Sequence, residues 1–275
     1  MRFFLLLYLS FFSINSMASC ANLSSSSGFK QEINTRTVLR KTNFHLSPVY
    51  NKEVAGLFII KGDTFTSYLK SDNFLFGNYK AVDGRISSGW ISGNDLEKLS
   101  NEQKANENIS SNDFKFFTSY KEITLGDYYP EFYNYWGKCE INKQPDIGIT
   151  GNFEEINGIN YKYFDHYWDG LYIKTSNINR EQLKNDFDWY HITEINVLND
   201  KYMTNHGIYV GMKENEIVNA YGDCHKKNSN SCSYSYKNNK LTFNISNGVI
   251  TSIDMEELPL WFKVFMGINV IMAIY

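Results

Sequence analysis

Short apolar runs cut by glycine, aspartate and asparagine alternate with polar positions along most of the chain, and in two places the spacing changes from period two to a helical period. Over residues 44–99 the runs are Val49-Tyr50, 56–63, 64–69, 74–82 and 88–91, with Asp95-Leu96 behind them. Five short strands joined by tight turns predict a small all-β barrel there. Residues 100–120 turn polar and read as a linker, because Asn101 to Asn108 cannot bury a face. The helical spacing comes next, with Phe132, Tyr135 and Trp136 in one place and Ile217, Ala220 and Tyr221 in the other, each at i, i+3, i+4. A short strand, 123–125 or 208–210, precedes each predicted helix, and a glycine, Gly137 or Gly222, ends it where left-handed backbone is cheap for glycine alone. Pro130 falls in the first helical turn, where its missing N–H costs nothing. Alternating runs come after each helix: 160–164, 171–174 and 189–197 in the first case, 233–236, 241–245 and 249–255 in the second. A helix on an antiparallel meander is an α+β unit. The expected fold class is therefore multi-domain: a small all-β barrel at 44–99, then a tandem α+β repeat at 121–199 and 200–257.

The repeat rests on identities as well as pattern. Ile123, Gly126, Glu131, Asn134, Gly137 and Cys139 recur without a gap as Ile208, Gly211, Glu216, Asn219, Gly222 and Cys224. Chance supplies about one identity in such a window, so six at a spacing of 85 argue for duplication. The closing strands match again, Ile192-Thr193-Glu194-Ile195 with Ile250-Thr251-Ser252-Ile253, at a spacing of 58 because the first copy carries longer insertions.

The ends of the chain bear on location. Arg2, an apolar run over 3–12 and a small, polar stretch over 13–19 read as a secretory leader, too short to span a bilayer. Ser16-Met17-Ala18-Ser19-Cys20 looks like a bacterial lipobox, so Cys20 is the candidate lipidation site and 20–43 a tether and lead-in; plain secretion is the alternative. A membrane-anchored lipoprotein of the cell envelope, facing the periplasm or the cell surface, is the expectation. The apolar segment 258–275 is interrupted by Lys263 and Asn269, and reads as docked on the core or lying at a lipid surface. A net charge of −3 without a basic stripe argues against nucleic acid as a partner. Cysteine use fits an oxidising compartment: Cys224 and Cys232 flank a short turn-forming loop and are the best-placed pair, while Cys139 is either a buried thiol or a rival for Cys224. No Cys/His spacing suits a metal, and no cofactor is expected.

Two resemblances add to these readings. At Ile60-Lys61-Gly62-Asp63, Gly89-Trp90-Ile91 and Asp95-Leu96, residues 44–99 resemble bacterial SH3-type domains. The resemblance implies binding of cell-wall peptide or glycan in an aromatic groove, with Tyr50, Phe74, Phe76 and Trp90 as candidates, although Phe58 and Trp90 read equally as core. From Gly207-Ile208-Tyr209-Val210-Gly211 through Glu216, Ile217 and Ala220-Tyr221-Gly222 to Gly248-Val249-Ile250-Thr251-Ser252-Ile253, residues 121–256 resemble the BamE-like outer-membrane-assembly lipoproteins and tandem β-lactamase-inhibitor-protein-like modules. Lys213 and Tyr128 stand where that pattern usually has a capping Ser or Asp. The likeness implies a non-enzymatic scaffold that binds a partner protein through an aromatic sheet face, with Tyr161, Tyr163, Tyr167, Trp168, Tyr172, Trp189 and Tyr190 as candidates.

Three function classes are compatible with these features. The first is a non-enzymatic envelope lipoprotein binding peptidoglycan, a partner protein or both. The second is an inhibitor or immunity-type protein that blocks an enzyme with its aromatic sheet. The third is a thiol-dependent wall hydrolase, suggested by Gly222-Asp223-Cys224-His225, although neighbours on a chain rarely reach nucleophile and base geometry.

Overall fold

The computed structural model describes residues 23–97, 109–137 and 151–260. The chain opens with six strands: β1 (Lys30–Thr37), β2 (Thr42–His45), β3 (Glu53–Ile59), β4 (Thr64–Ser71), β5 (Phe74–Lys80) and β6 (Ile86–Ser92). Next come β7 (Lys115–Phe117), β8 (Ile123–Thr124), helix α1 (Tyr129–Trp136), β9 (Asn152–Ile156), β10 (Ile159–Trp168), β11 (Leu171–Ser176), the one-turn α2 (Arg180–Leu183) and β12 (His191–Val197). The final stretch holds β13 (Met203–Thr204), α3 (Glu214–Tyr221), β14 (Lys226–Asn228), β15 (Ser231–Tyr236), β16 (Asn239–Ser246) and β17 (Val249–Glu257). They form three antiparallel sheets: six strands in the order β1-β4-β5-β6-β2-β3, eight in the order β14-β15-β16-β17-β12-β11-β10-β9, and three in the order β13-β7-β8.

This corrects the expected fold class. Half of the described residues are strand and 13% are helix, so the described structure is mainly β and not a small barrel followed by α+β repeats. Two physical reasons account for the difference. Polar residues 30–37 read as a lead-in, yet they form β1, whose backbone pairs with β4 from Lys30↔Lys70 to Thr37↔Thr64. The six-stranded sheet also shares its interior with the rest of the chain. It keeps a small core of Val38, Phe44, Ile59, Phe65, Leu75, Ile91 and Leu96, while Leu69, Phe74, Phe76 and Trp90 point the other way into a core shared with Phe116, Ile208 and Tyr209. Alternation along β5 and β6 sends neighbours to opposite faces, so one sheet feeds two cores.

The eight-stranded sheet is assembled from both copies of the recurring pattern. Asn157-Gly158 and Asn247-Gly248 carry positive φ at both positions, the backbone of a two-residue turn whose twist matches paired strands, and they close β9–β10 and β16–β17. The copies join where β12 pairs with β17, with Ile195 opposite Met255 and Val197 opposite Ile253. At the spacing of 58, position 195 corresponds to 253 and 197 to 255, so exchanging the copies reproduces the pairing. Its centre is Asn196 opposite Asp254, two positions equivalent to each other.

A buried polar knot ties the sheets together. The His206 ring is stacked between Tyr68 of β4 and Tyr221 of α3, with centroids 4.4 and 4.3 Å away. His206 Nδ1 lies 2.9 Å from the Ala220 carbonyl and Nε2 2.9 Å from Asp113 Oδ1. Burial works against ionisation of Asp113, but His206 and the Ser110 N–H and hydroxyl outweigh it and lower the carboxyl below its ordinary range.

Candidate functional site

Period-two alternation gives the eight-stranded sheet two unlike faces. Ile173, Ile195, Val197, Leu241, Phe243, Ile253 and Met255 turn inward and are wholly buried. The alternate positions form a polar face crossed by two rows. One row runs Tyr167, Tyr172, Asn196, Asp254, Thr242, Ser233 from β10 to β15, and the next runs Asp165, Lys174, Glu194, Glu256, Lys240, Ser235.

At the junction of the copies Glu194 stands directly opposite Glu256, a like-charge cross-strand pair that opposes folding. Lys174 reaches Glu154 at 2.8 Å and Lys240 reaches Glu256 at 2.6 Å. Asp165, Glu194 and Asp254 then have no cation in ion-pair contact among the described residues. Burial raises the carboxyl of Glu194 above its ordinary range; Lys174 works against this, and Glu256, Asp254 and Asp165 add to it. Burial likewise raises Asp254, against the hydrogen bonds it accepts from Asn196 and Asn244. Tyr172 donates from its hydroxyl to Asp165 at 2.8 Å, and its ring lies 5.1 Å from that of Tyr167. Lys174 Nζ sits 4.3 Å above the Tyr163 ring. The result is a half-buried acidic strip edged by tyrosines, which suits a cationic group carried on an apolar stem.

The structure divides the aromatic candidates. Tyr163, Tyr167 and Tyr172 stand on the polar face. Trp189 is exposed at its margin, stacked 4.1 Å from Tyr128. Trp168 and Tyr190 instead pack in the core, against Phe132 and Phe164. Tyr161 belongs to the polar side of β10 by register, but it is buried and its hydroxyl donates to Glu181 of α2, which covers that corner. The groove expected on the six-stranded sheet is not formed by its four residues. Phe74, Phe76 and Trp90 are 3, 0 and 1% exposed, because the shared core lies over them; Tyr50 alone is exposed, leaning on Phe74 at 4.8 Å. Phe58, read as possible core, is exposed beneath Lys41.

Cys224 and Cys232 are bridged, with Cα atoms 5.5 Å apart, where β15 leaves its turn. Cys20, the leader, Cys139 and the apolar stretch from 261 onward lie outside the described residues. Among the described residues no group of His, Cys, Asp or Glu is arranged to hold a metal, and no helix is long and apolar enough to cross a membrane. The acids at the junction were missed from sequence. The signal that marks them is the match of 192–195 with 250–253, which fixes which polar positions meet once the two strands are paired.

Comparison with known proteins adds little. No known family matches this chain, and no curated protein does. Among solved structures, the crystal structure of the C-terminal domain of TagH aligns over 84% of this chain and 99% of its own, at 7% identity and a TM-score of 0.21. A likeness that slight carries no argument about fold or function.

Proposed function

We propose that the protein is a non-enzymatic binding protein of the cell envelope whose working surface is the polar face of the eight-stranded sheet, and that it holds a basic, apolar-stemmed segment of a partner protein. The observation that carries this reading is the pair Glu194 and Glu256, set opposite each other beside Asp254 and Asp165. A sheet built only for stability places opposite charges or β-branched residues there. Glu256 is held by Lys240, but the half-buried Asp165, Glu194 and Asp254 have no cation in ion-pair contact among the described residues and gain most from a partner that supplies one. The tyrosines beside them provide rigid contact area at little entropic cost. Envelope location rests on the leader and lipobox. Wall binding through the first sheet loses its support, because three of the four aromatics assigned to it are core. Cys224, in a disulfide, offers no thiolate for the hydrolase reading. An inhibitor would use the same face, and differs from a general partner binder only in what it covers.

The test uses synthetic peptides combining Lys or Arg with Phe or Tyr, titrated into the full chain. Binding is expected to weaken as salt rises and to fall at least about tenfold in the double variant Glu194→Gln/Asp254→Asn, with neutral analogues bound poorly. Equal binding by the variant, or indifference to salt, would remove this face from the function.

A further inference from the structure

Helices α1 and α3 correspond residue for residue at the spacing of 85, Tyr129–Trp136 with Glu214–Tyr221, so equivalent positions can be compared for what touches them. On α3 the position of Asn219 and the backbone of Glu216 are engaged by β1. Gln31 donates from Nε2 to the Glu216 carbonyl at 3.0 Å and accepts at Oε1 from Asn219 Nδ2 at 3.0 Å. One carboxamide is thus read at both its donor and its acceptor atoms, an arrangement that a carboxylate, which has no donor, cannot reproduce. The six-stranded sheet continues this contact, with Tyr68 stacked on His206 and Leu69 against Gly207 so closely that an added Cβ there would lie 2.6 Å from Leu69 Cγ.

On α1 the equivalent positions are Glu131 and Asn134, both exposed, with no side-chain hydrogen-bond partner among the described residues. In place of His206 and Gly207 stand Lys121 and Glu122, and the six-stranded sheet does not cover this helix as it covers α3. Instead a cavity of about 270 Å³ lies here, lined by Lys121, Glu122, Asp127, Glu131, Asn134 and Tyr135, with Trp136 and Phe132 behind. The indole N–H of Trp136 is buried and has no acceptor among the described residues. Of the three carboxylates in this lining, Glu122 is paired with Lys115 at 3.5 Å, Lys121 Nζ is already seated over the Tyr135 ring at 3.1 Å, and Asp127 and Glu131 have no cation in ion-pair contact among the described residues.

We infer that this cavity is a second seat of the Gln31 type, which binds an extended polypeptide segment presenting a glutamine side chain next to a lysine. Asn134 Nδ2 takes the place of Asn219 toward the amide oxygen, and the Glu131 carbonyl takes that of Glu216 toward the amide N–H. The segment is extended because Gln31 makes its contacts from a strand. The neighbouring cation follows from the surplus of carboxylates, and Lys30 precedes Gln31 on β1 in the same way. Burial raises the Asp127 carboxyl, and an incoming ammonium would favour its ionised form. This site is separate from the polar sheet face and stands or falls independently of it.

The probe is a labelled peptide of residues 28–37, blocked at both ends and titrated into the full chain by fluorescence anisotropy. Saturable binding is expected, weakened about tenfold or more when the peptide glutamine is replaced by leucine, and likewise in the Asn134→Leu and Glu131→Lys variants, whose positions are exposed and whose folding circular dichroism can check. Asn219→Leu should leave the affinity unchanged. Absence of saturation, full binding by Asn134→Leu, or loss in Asn219→Leu alone would overturn the assignment, the last because the peptide would then be displacing β1 from α3. Binding of free N-acetylglucosamine in place of the peptide would overturn the polypeptide class. A concentration-dependent dimer abolished by Asn134→Leu would support the site and identify the segment as β1 of a second copy.

Discussion

The two faces of the eight-stranded sheet are made by the same strands from alternate residues, and they answer to different demands. On the covered face Ile195, Leu241, Phe243, Ile253 and Met255 are wholly buried, each contributing roughly 1.5–3 kcal/mol by leaving water. On the open face Glu194, Asp254 and Glu256 converge one residue away from them, in a cluster that weakens the fold. A strand has no means of separating these demands along its length, but its pleat separates them across its thickness. Stability and the recognition proposed for the open face can therefore be altered independently by substitutions only one position apart.

The largest effect expected is on the covered side. Phe243→Ala should cost about 3–5 kcal/mol in chemical denaturation, whereas Lys240→Ala on the open face of the same strand should cost less than about 1 kcal/mol. Similar losses for the two would mean that the open face is structural after all. Next comes the edge of the sheet: replacing Cys224 and Cys232 together by serine should remove about 2 kcal/mol, because the bridge closes only a short loop. The smallest effect separates the faces most sharply. Glu194 has its folded-state pKa raised above the unfolded one, so its contribution to stability is full below the ordinary carboxylate pKa and is lost as pH rises through the raised value. Glu194→Gln should cancel that loss, leaving the variant slightly more stable than the native chain near neutral pH, by up to about 1 kcal/mol, and no more stable in acid. Calorimetry at both pH values decides it, and a variant less stable at neutral pH would show that the carboxylate is favourably partnered.

Much of the local structure is legible in the sequence, and the reasons for the rest are specific. The runs at 241–245 and 249–255 lie within β16 and β17 because their alternation and the Asn-Gly turn between them agree. The polar segment Lys30–Thr37 shows no such pattern; its strand is imposed by pairing with β4 and by the contact of Gln31 with α3. The aromatics of β5 and β6 are evident as strand residues, but which face they take depends on a core completed by residues more than twenty positions away, such as Phe116. Likewise each acid at the junction looks alone like an ordinary solvated strand position. Only the register of β12 on β17 shows that Glu194 and Glu256 meet.

The pairing centred on Asn196 and Asp254 has a consequence for how the sheet is held closed. Edge strands that meet about a dyad are the means by which identical subunits extend a sheet, and such an association dissolves on dilution. Here both partners belong to one polypeptide, so the encounter is intramolecular and the effective concentration of one edge near the other is set by the connecting chain. The seam between the halves therefore stays closed however scarce the protein is, and the acidic strip that lies across it exists even at a single molecule.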